Sequence, residues 1–340
     1  MTAALHLAYW QTTTIKVVVI MGVVPTATIV VVYTFMFKMM AHMQSRLGPM
    51  EAGPHGLLQL IADAGKFLQK EDVFPERSDR AVFALAPIVV LVSTFLLYVV
   101  IPAGPRLILS NLDTGIFFAL AVSSLSVLGV LMAGWASANK YSLIGALRAA
   151  GQLIAYELPL VLGVVGVVIQ AGTMSLQGIV NAQAHGAIFG FKTLGEPFIL
   201  PQFLGFLLFV VGAQAELTQT PFDMPLAESE LVAGYVVEYT GFRFLFFYMA
   251  EFATAFAFAA IGATLFLGGW YVPGVHGTAA DVLGPFVLGT KIMLVSFLIF
   301  WFRFTYPRFR EDQLQAVAWK YLIPLTLVNI VVTGVLKVVV

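Results

Sequence analysis

The sequence predicts an all-α polytopic membrane protein, with eight transmembrane helices and amphipathic helices in its cytoplasmic loops. Three observations carry this. Of the 340 residues, 60% are apolar and only 11% are charged, against roughly 25% charged in ordinary soluble domains. Mean hydropathy is +0.92. Eight stretches come close to the about 20 apolar residues that a bilayer-crossing helix needs. Backbone groups in lipid must bond within their own segment, so these stretches are helices. The short alternating segments of a membrane β-barrel are absent.

The expected spans are Ile15–Phe37, Ala81–Ile101, Ile116–Ala138, Leu153–Ala171, Phe198–Ala215, Phe244–Leu267, Leu283–Phe302 and Tyr321–Val340. The first reads as a span rather than a removed signal, being long and far from a small-residue cleavage site. Together they make one transmembrane domain over residues 1–340. An even number of spans puts both termini on one side. The odd-numbered connections and their flanks hold most of the 18 Lys and Arg residues, among them Arg46, Lys66, Arg80, Lys140, Arg148, Arg243 and Arg308. The other side holds Lys16, Arg106, Lys192, Lys291 and Lys337. The positive-inside rule therefore places the odd loops in the cytoplasm and both termini outside. A bacterial inner membrane is the expected location.

The first cytoplasmic loop spans His42–Arg80. Within it Leu57, Leu60, Ile61, Ala64, Phe67 and Leu68 recur at helical spacing, with Gln59, Asp63, Lys66 and Lys70 on the other face. This predicts an amphipathic helix on the membrane surface or against a partner, starting after Gly53-Pro54 and stopping before Pro75. The outer segments Gly172–Glu196 and Gly268–Val282 are rich in glycine and turn residues. No internal repeat of the kind transporters carry is visible.

Lys+Arg and Asp+Glu are 18 each, so net charge is zero. That excludes a basic nucleic-acid binder. There is no cysteine, which excludes disulfides, thiolate metal sites and iron–sulfur ligation by this chain. His6, His42, His55, His185 and His276 lie outside the expected spans, so no bis-histidine haem is expected in the bundle. The chain is expected to hold no metal and no redox centre of its own. If it serves electron transfer, the carriers sit in partners or the substrate is a diffusing quinone.

The acids then stand out. Glu157 and Glu251 fall in expected spans, where an unpaired carboxylate is costly and marks proton handling or an interfacial helix end. Tyr156 and Arg148 are possible partners for Glu157. Loop five, 216–243, carries Glu216, Asp223, Glu228, Glu230 and Glu238, with no base before Arg243. Apolar residues between them argue against a plainly solvated face and for a partly buried carboxylate chain. Arg303, Arg308 and Arg310 in the seventh loop are the available counter-charges, besides setting topology.

The cytoplasmic loops also carry a resemblance. Gly134-Trp-Ala-Ser-Ala-Asn-Lys-Tyr through Arg148 to Tyr156-Glu-Leu-Pro159 resembles the third loop of the H-type subunit of proton-pumping NADH:quinone oxidoreductase, respiratory complex I. Pro221-Phe-Asp-Met-Pro225, then Ala227-Glu-Ser-Glu-Leu-Val-Ala-Gly-Tyr235 and Val237-Glu-Tyr239, resembles its fifth. Gly56-Leu-Leu-Gln59 through Lys70-Glu-Asp72, and Pro307-Arg-Phe-Arg310 with Asp312-Gln-Leu314 and Trp319-Lys320, match the other two loops. The likeness runs from about Gln44 to the end, and its long motifs keep their order on one side of the membrane.

The resemblance implies a subunit that joins the membrane arm to the hydrophilic arm of the complex. Its cytoplasmic face, with hydrophilic partner subunits, would enclose a quinone chamber and start a proton path toward the other membrane-arm subunits. Quinone is then the substrate, while NADH, FMN and iron–sulfur clusters belong to partner subunits. Glu157, Glu216, Asp223, Glu228, Glu230, Glu238 and Glu251 match the family's proton-relay acids. Arg148, Tyr156, Arg303 and Arg308 match its quinone-chamber or relay-partner residues. The chain departs from the pattern at Met36-Phe37, where the family has Glu-Arg. It departs again at Gly48-Pro-Met-Glu51-Ala-Gly-Pro54, at Leu217-Thr-Gln219 where the family has Thr-Asn-Arg, and at Leu226 in place of an acid. These changes remove charge near the expected quinone entrance and thin the carboxylate chain. The alternatives are the equivalent subunit of a hydrogenase-type energy-converting complex, a standalone secondary transporter, or a structural anchor.

Overall fold

The computed structural model describes residues 9–186, 195–275 and 277–339. His6, Lys192 and His276 lie outside the described residues. Among the described residues, seven helices are long and apolar enough to cross a membrane. These are α1 (Trp10–Met43), α3 (Arg80–Val100), α4 (Gly115–Ala136), α5 (Lys140–Ala171), α9 (Gly241–Phe266), α10 (Thr278–Thr305) and α11 (Glu311–Val339). An eighth apolar helix, α7 (Phe203–Glu216), has 14 residues. The shorter α2 (Gln59–Gln69), α6 (Leu176–His185) and α8 (Glu228–Leu231) lie in connections. Among the described residues there is no strand.

The eight expected spans each coincide with an apolar helix, but three boundaries move. α5 begins at Lys140, thirteen residues before the expected Leu153. Asn139 caps it, its side chain accepting the Tyr141 N–H at 2.9 Å, as a short polar side chain does at an N-cap. Arg148 therefore stands on the spanning helix rather than in a loop. α11 begins at Glu311, ten residues before the expected Tyr321. α7 is shorter than expected, because residues 199–202 form turns. At about 1.5 Å per residue it is roughly 21 Å long, well under the about 30 Å of a hydrocarbon core. Turns before it are held by the Phe198 N–H on Gln183 Oε1 and the Ile199 N–H on the Phe266 carbonyl. α6 was not expected. Ser175 starts it by accepting the Gly178 N–H.

Packing builds one large buried cluster from α1, α4, α5, α7, α9 and α10, with Phe209, Phe258, Phe266 and Phe300 among its fully buried side chains. A second cluster under the third and fifth loops centres on Phe83, Tyr239 and Phe247. α1 joins the bundle only from Val24 onward. Its Thr28 hydroxyl donates to the Val24 and Met249 carbonyls. The stretch Val32–Met39 of α1 is a π-helix, a local widening that recurs at functional sites.

α11 is held on the bundle by a polar clasp. Gln202 Nε2 donates to Thr333 Oγ1 at 2.7 Å, and Asn329 Nδ2 donates to Gln202 Oε1 at 3.1 Å. Gly166 and Gly205 leave the room: a Cβ at Gly166 would meet Gln202 Oε1 at 2.7 Å and Asn329 Nδ2 at 2.9 Å. Interhelical bonds of this kind are each worth about 0.6–2 kcal/mol in membranes. Gln202→Leu should therefore lower the thermal midpoint of the purified protein by the equivalent of about 1–3 kcal/mol, leaving Asn329 unpaired. Adding Asn329→Leu should recover part of that loss; an unchanged midpoint in the single variant would rule the clasp out as a stabilising element.

Candidate functional site

Two spaces bear on the acids and on the amphipathic helix α2. The larger, about 570 Å³, sits between α1, α2 and the start of α9. Pro25, Ile29 and Phe37 line it from α1, Leu60 and Phe67 from α2, and Phe244 and Tyr248 from α9. Phe67 stacks on Phe244 at 5.6 Å. The walls are mainly apolar and aromatic, with Asp63, Lys66 and Lys70 as the charged groups.

The orientation of α2 differs from the sequence expectation. Leu60, Ala64 and Phe67 turn toward the protein and Ile61 stands at the cavity rim, but Leu68 and the preceding Leu57 face outward and are more than half exposed. Asp63, expected on the polar face, is half-buried at the cavity wall and accepts a bond from Gln59 at 2.9 Å. The two loop ends below are fastened by an Arg243–Asp72 ion pair, with the Arg243 guanidinium 3.9 Å over the Phe74 ring.

The smaller space, about 70 Å³, lies inside the bundle. Glu216, Tyr235 and Glu251 line it, together with Ser93, Ser123 and Ser126. Two acids that are 35 positions apart in the chain thus share one small polar cavity. Glu251 accepts from Arg303 Nη1 at 3.3 Å, with 22% of each side chain exposed. Glu216 ends α7 and is 8% exposed; the charge of Glu157, half-buried on α5, reaches it. The Tyr235 phenol is pushed up, first by its removal from water and then by the charges of Glu251 and Asp223. Asp223, half-buried, thereby faces the same cluster. Glu251, Tyr235 and Glu216 thus share the small cavity, with the charge of Asp223 felt at Tyr235.

Loop five reaches this position because α5 and the loop backbone meet closely. A Cβ on Gly145 would lie 2.8 Å from Gly234 Cα and 2.9 Å from the Pro225 carbonyl. Gly234 itself has φ +55, with the Pro225 oxygen where a Cβ would stand. Glycine is needed at both points of contact.

The remaining acids lie apart from the cavity. Glu230 is at the surface, where Arg148 Nη1 donates to it at 2.7 Å and Arg308 Nη2 at 2.6 Å. Arg148 also approaches Glu311 at 3.5 Å. These contacts tie α5, α8 and the start of α11 together. Glu238 accepts from Asn139 Nδ2 at 2.6 Å. Glu228 opens α8, and its side chain lies outside the described residues. Tyr156 is not the partner of Glu157: fully buried, its hydroxyl donates to the Leu314 carbonyl at 2.8 Å, and its ring meets Phe222 edge-on at 5.1 Å. Its bond fastens α11 to α5. The acid-only appearance of loop five dissolves in space, because Arg148 of α5 and Arg308 of the seventh loop close on Glu230.

Sequence reasoning missed the chamber walls Tyr248 and Phe244, and missed Tyr235 and the serines. Ser123 and Ser126 stand one turn apart in an otherwise apolar span, which was the available signal. Tyr235 lies within the loop-five motif but carries no charge to single it out.

An apolar cavity beside a small cavity lined by two acids, within a bundle of helices long and apolar enough to cross a membrane, defines a multi-pass membrane protein. A sequence profile described as NADH dehydrogenase matches residues 15–334. The H-type subunit of the NADH-quinone oxidoreductase of Brevibacillus brevis is 45% identical over 329 residues, covering 96% of this chain and 94% of the relative. The protein of the same name from Geobacillus kaustophilus is 46% identical over 301 residues, covering 88% and 86%. That from Dehalococcoides mccartyi is 43% identical over 326 residues, covering 96% and 87%. The chain belongs to the NADH dehydrogenase family, on the branch of the H-type subunits.

The Glu230 contacts carry a pH prediction. The hydrogen bond from Arg148, with the charges of Arg308 and Arg148, holds the Glu230 carboxyl below its ordinary value. Such a group stabilises its surroundings above the ordinary glutamate range near pH 4.3. The stabilisation is lost as pH falls through the lowered value. Hydrogen exchange across residues 227–233 should therefore stay slow at neutral pH and quicken only below about pH 4. In Glu230→Gln it should already be fast at neutral pH; equal exchange in both proteins would remove the triad as the loop's fastening.

Proposed function

We propose that this chain is the membrane subunit of an NADH-quinone oxidoreductase that forms part of the quinone-binding chamber and starts the proton relay into the membrane arm. The observation that carries this is the 570 Å³ aromatic chamber lying next to Glu251 along α9. Tyr248 lines the chamber one helical turn before Glu251, which lines the small polar cavity with Glu216. A quinone ring and its isoprenoid chain need apolar and aromatic walls with few polar groups, and the chamber supplies them. Its outward side, where Ile61 stands exposed at the rim and Leu57 and Leu68 face away from the bundle, suits entry from the bilayer.

The chemistry follows from charge. Reduction of a quinone takes up protons, so carboxylates nearby experience a change in local charge. Carboxylates in a small cavity respond through their pKa values, because each interacts strongly with its neighbours. In this reading Glu251, held by Arg303, receives the change first. Tyr235 and Asp223 transmit it to Glu216, and Glu216 to Glu157. Arg148 and Arg308 hold Glu230 and so fix loop five against the cavity. Partner subunits supply NADH oxidation, FMN and iron–sulfur clusters, and cover the cytoplasmic face. Both termini face outward from a bacterial inner membrane. The matched family and the relatives' names favour this reading over the hydrogenase-type and transporter alternatives.

Glu157→Gln and Glu251→Gln keep the shape of each side chain and remove its proton exchange. Each should lower proton-coupled quinone reduction in the assembled complex by roughly 10²-fold, the low end for loss of an acid–base group. Subunit copurification and NADH oxidation by an artificial electron acceptor should persist. Undiminished pumping in proteoliposomes by both variants would exclude the relay.

A further inference from the structure

We propose that the cytoplasmic end of α7 binds a monovalent alkali cation, held by the Glu216 carboxylate and the side-chain carbonyls of Gln152, Gln214 and Gln219. This goes beyond the relay reading and shares only Glu216 with it. Gln152 Oε1, Gln214 Oε1, Gln219 Oε1 and Glu216 Oε2 are all buried, and none receives a hydrogen bond from the described residues. The three glutamines are each 1% exposed. Gln219 has its amide nitrogen unpartnered as well.

Their grouping around one helix end is fixed by bonds. Gln152 Nε2 reaches across from α5 to donate to the Ala215 carbonyl at 2.7 Å. Gln214 Nε2 donates to the Thr220 carbonyl at 2.7 Å. The Gln219 N–H donates to the Gln214 carbonyl at 3.4 Å. With the amide nitrogens of Gln152 and Gln214 so occupied, their side chains offer only oxygen.

Buried acceptors without donors are unfavourable, and a buried carboxylate more so. A single water brings two donors to this acceptor-rich group. A cation satisfies every oxygen at once and neutralises the carboxylate. Hard oxygen donors suit an alkali or alkaline-earth ion, and one carboxylate among neutral carbonyls balances a single charge. The C-terminus of α7 adds the negative end of a helix dipole. Short helices that end within the membrane offer free carbonyls of the kind that coordinate sodium in transporters. Glu157 adds a second negative charge near Glu216, and the small cavity lined by Glu216 and Thr218 gives a way in.

Sodium-22 binding to the intact purified complex tests this, by equilibrium dialysis against choline chloride at constant ionic strength. Wild-type complex should retain sodium above the Gln219→Arg complex, in which a guanidinium replaces the ion. Gln152→Leu, which removes one oxygen without adding charge, should weaken sodium binding by about 10- to 100-fold. Equal retention by wild type and both assembled variants, or no retention above the choline background in wild type, would mean that water alone fills the site and would overturn the proposal. Sodium binding and pumping are measured separately, so loss of one leaves the other reading standing.

Discussion

Charge inside a membrane bundle has to be answered, and the Glu251–Arg303 pair shows how this chain answers it. The two side chains meet at 3.3 Å between α9 and α10 with 22% of each exposed. Removing one partner of such a pair costs about 3–5 kcal/mol, because the other is left uncompensated. The pair therefore fixes the register of two spanning helices where they flank the polar cavity. Phe252 stacks on Phe300 across the same two helices, and the Arg303 guanidinium lies 5.7 Å over the Phe252 ring.

Around that pair the molecule separates two kinds of acid. Glu216 and Glu251 line a cavity within the bundle, where low polarity makes each charge strongly felt. Glu230 and Glu238 lie near the surface and are bound by Arg148, Arg308 and Asn139. The surface group fastens loop five; the buried group is suited to respond to charge. One stretch of sequence thus supplies both a mechanical and an electrostatic component, and Gly145 against Gly234 sets the distance between them.

Much of this was legible in the sequence. Eight apolar stretches became eight apolar helices, because hydropathy and the need to satisfy backbone groups leave no other solution. Glu157, Glu216 and Glu251 drew notice because a carboxylate in an apolar context is expensive. What stayed hidden depended on distance rather than composition. Nothing local announced that Arg148 and Arg308, 160 positions apart, would share Glu230. Tyr156 looked like a companion to Glu157 only because it is adjacent, whereas neighbouring helix residues face different directions. The amphipathic period of α2 was plain, but which part of its apolar stripe met protein was set by α9. The shortness of α7 was masked by apolar residues 198–202, whose backbone bonds run to Gln183 and Phe266 instead of along a helix.

The outward face of α2 has a further consequence. Leu68 and, just before the helix, Leu57 are more than half exposed, so the wall that α2 forms is supported on its far side by whatever surrounds the protein. In a bilayer that support is lipid, and its lateral pressure and thickness become determinants of the chamber's width. The chamber is then a property of protein and membrane together, and its dimensions change with the medium that holds α2 against α1 and α9.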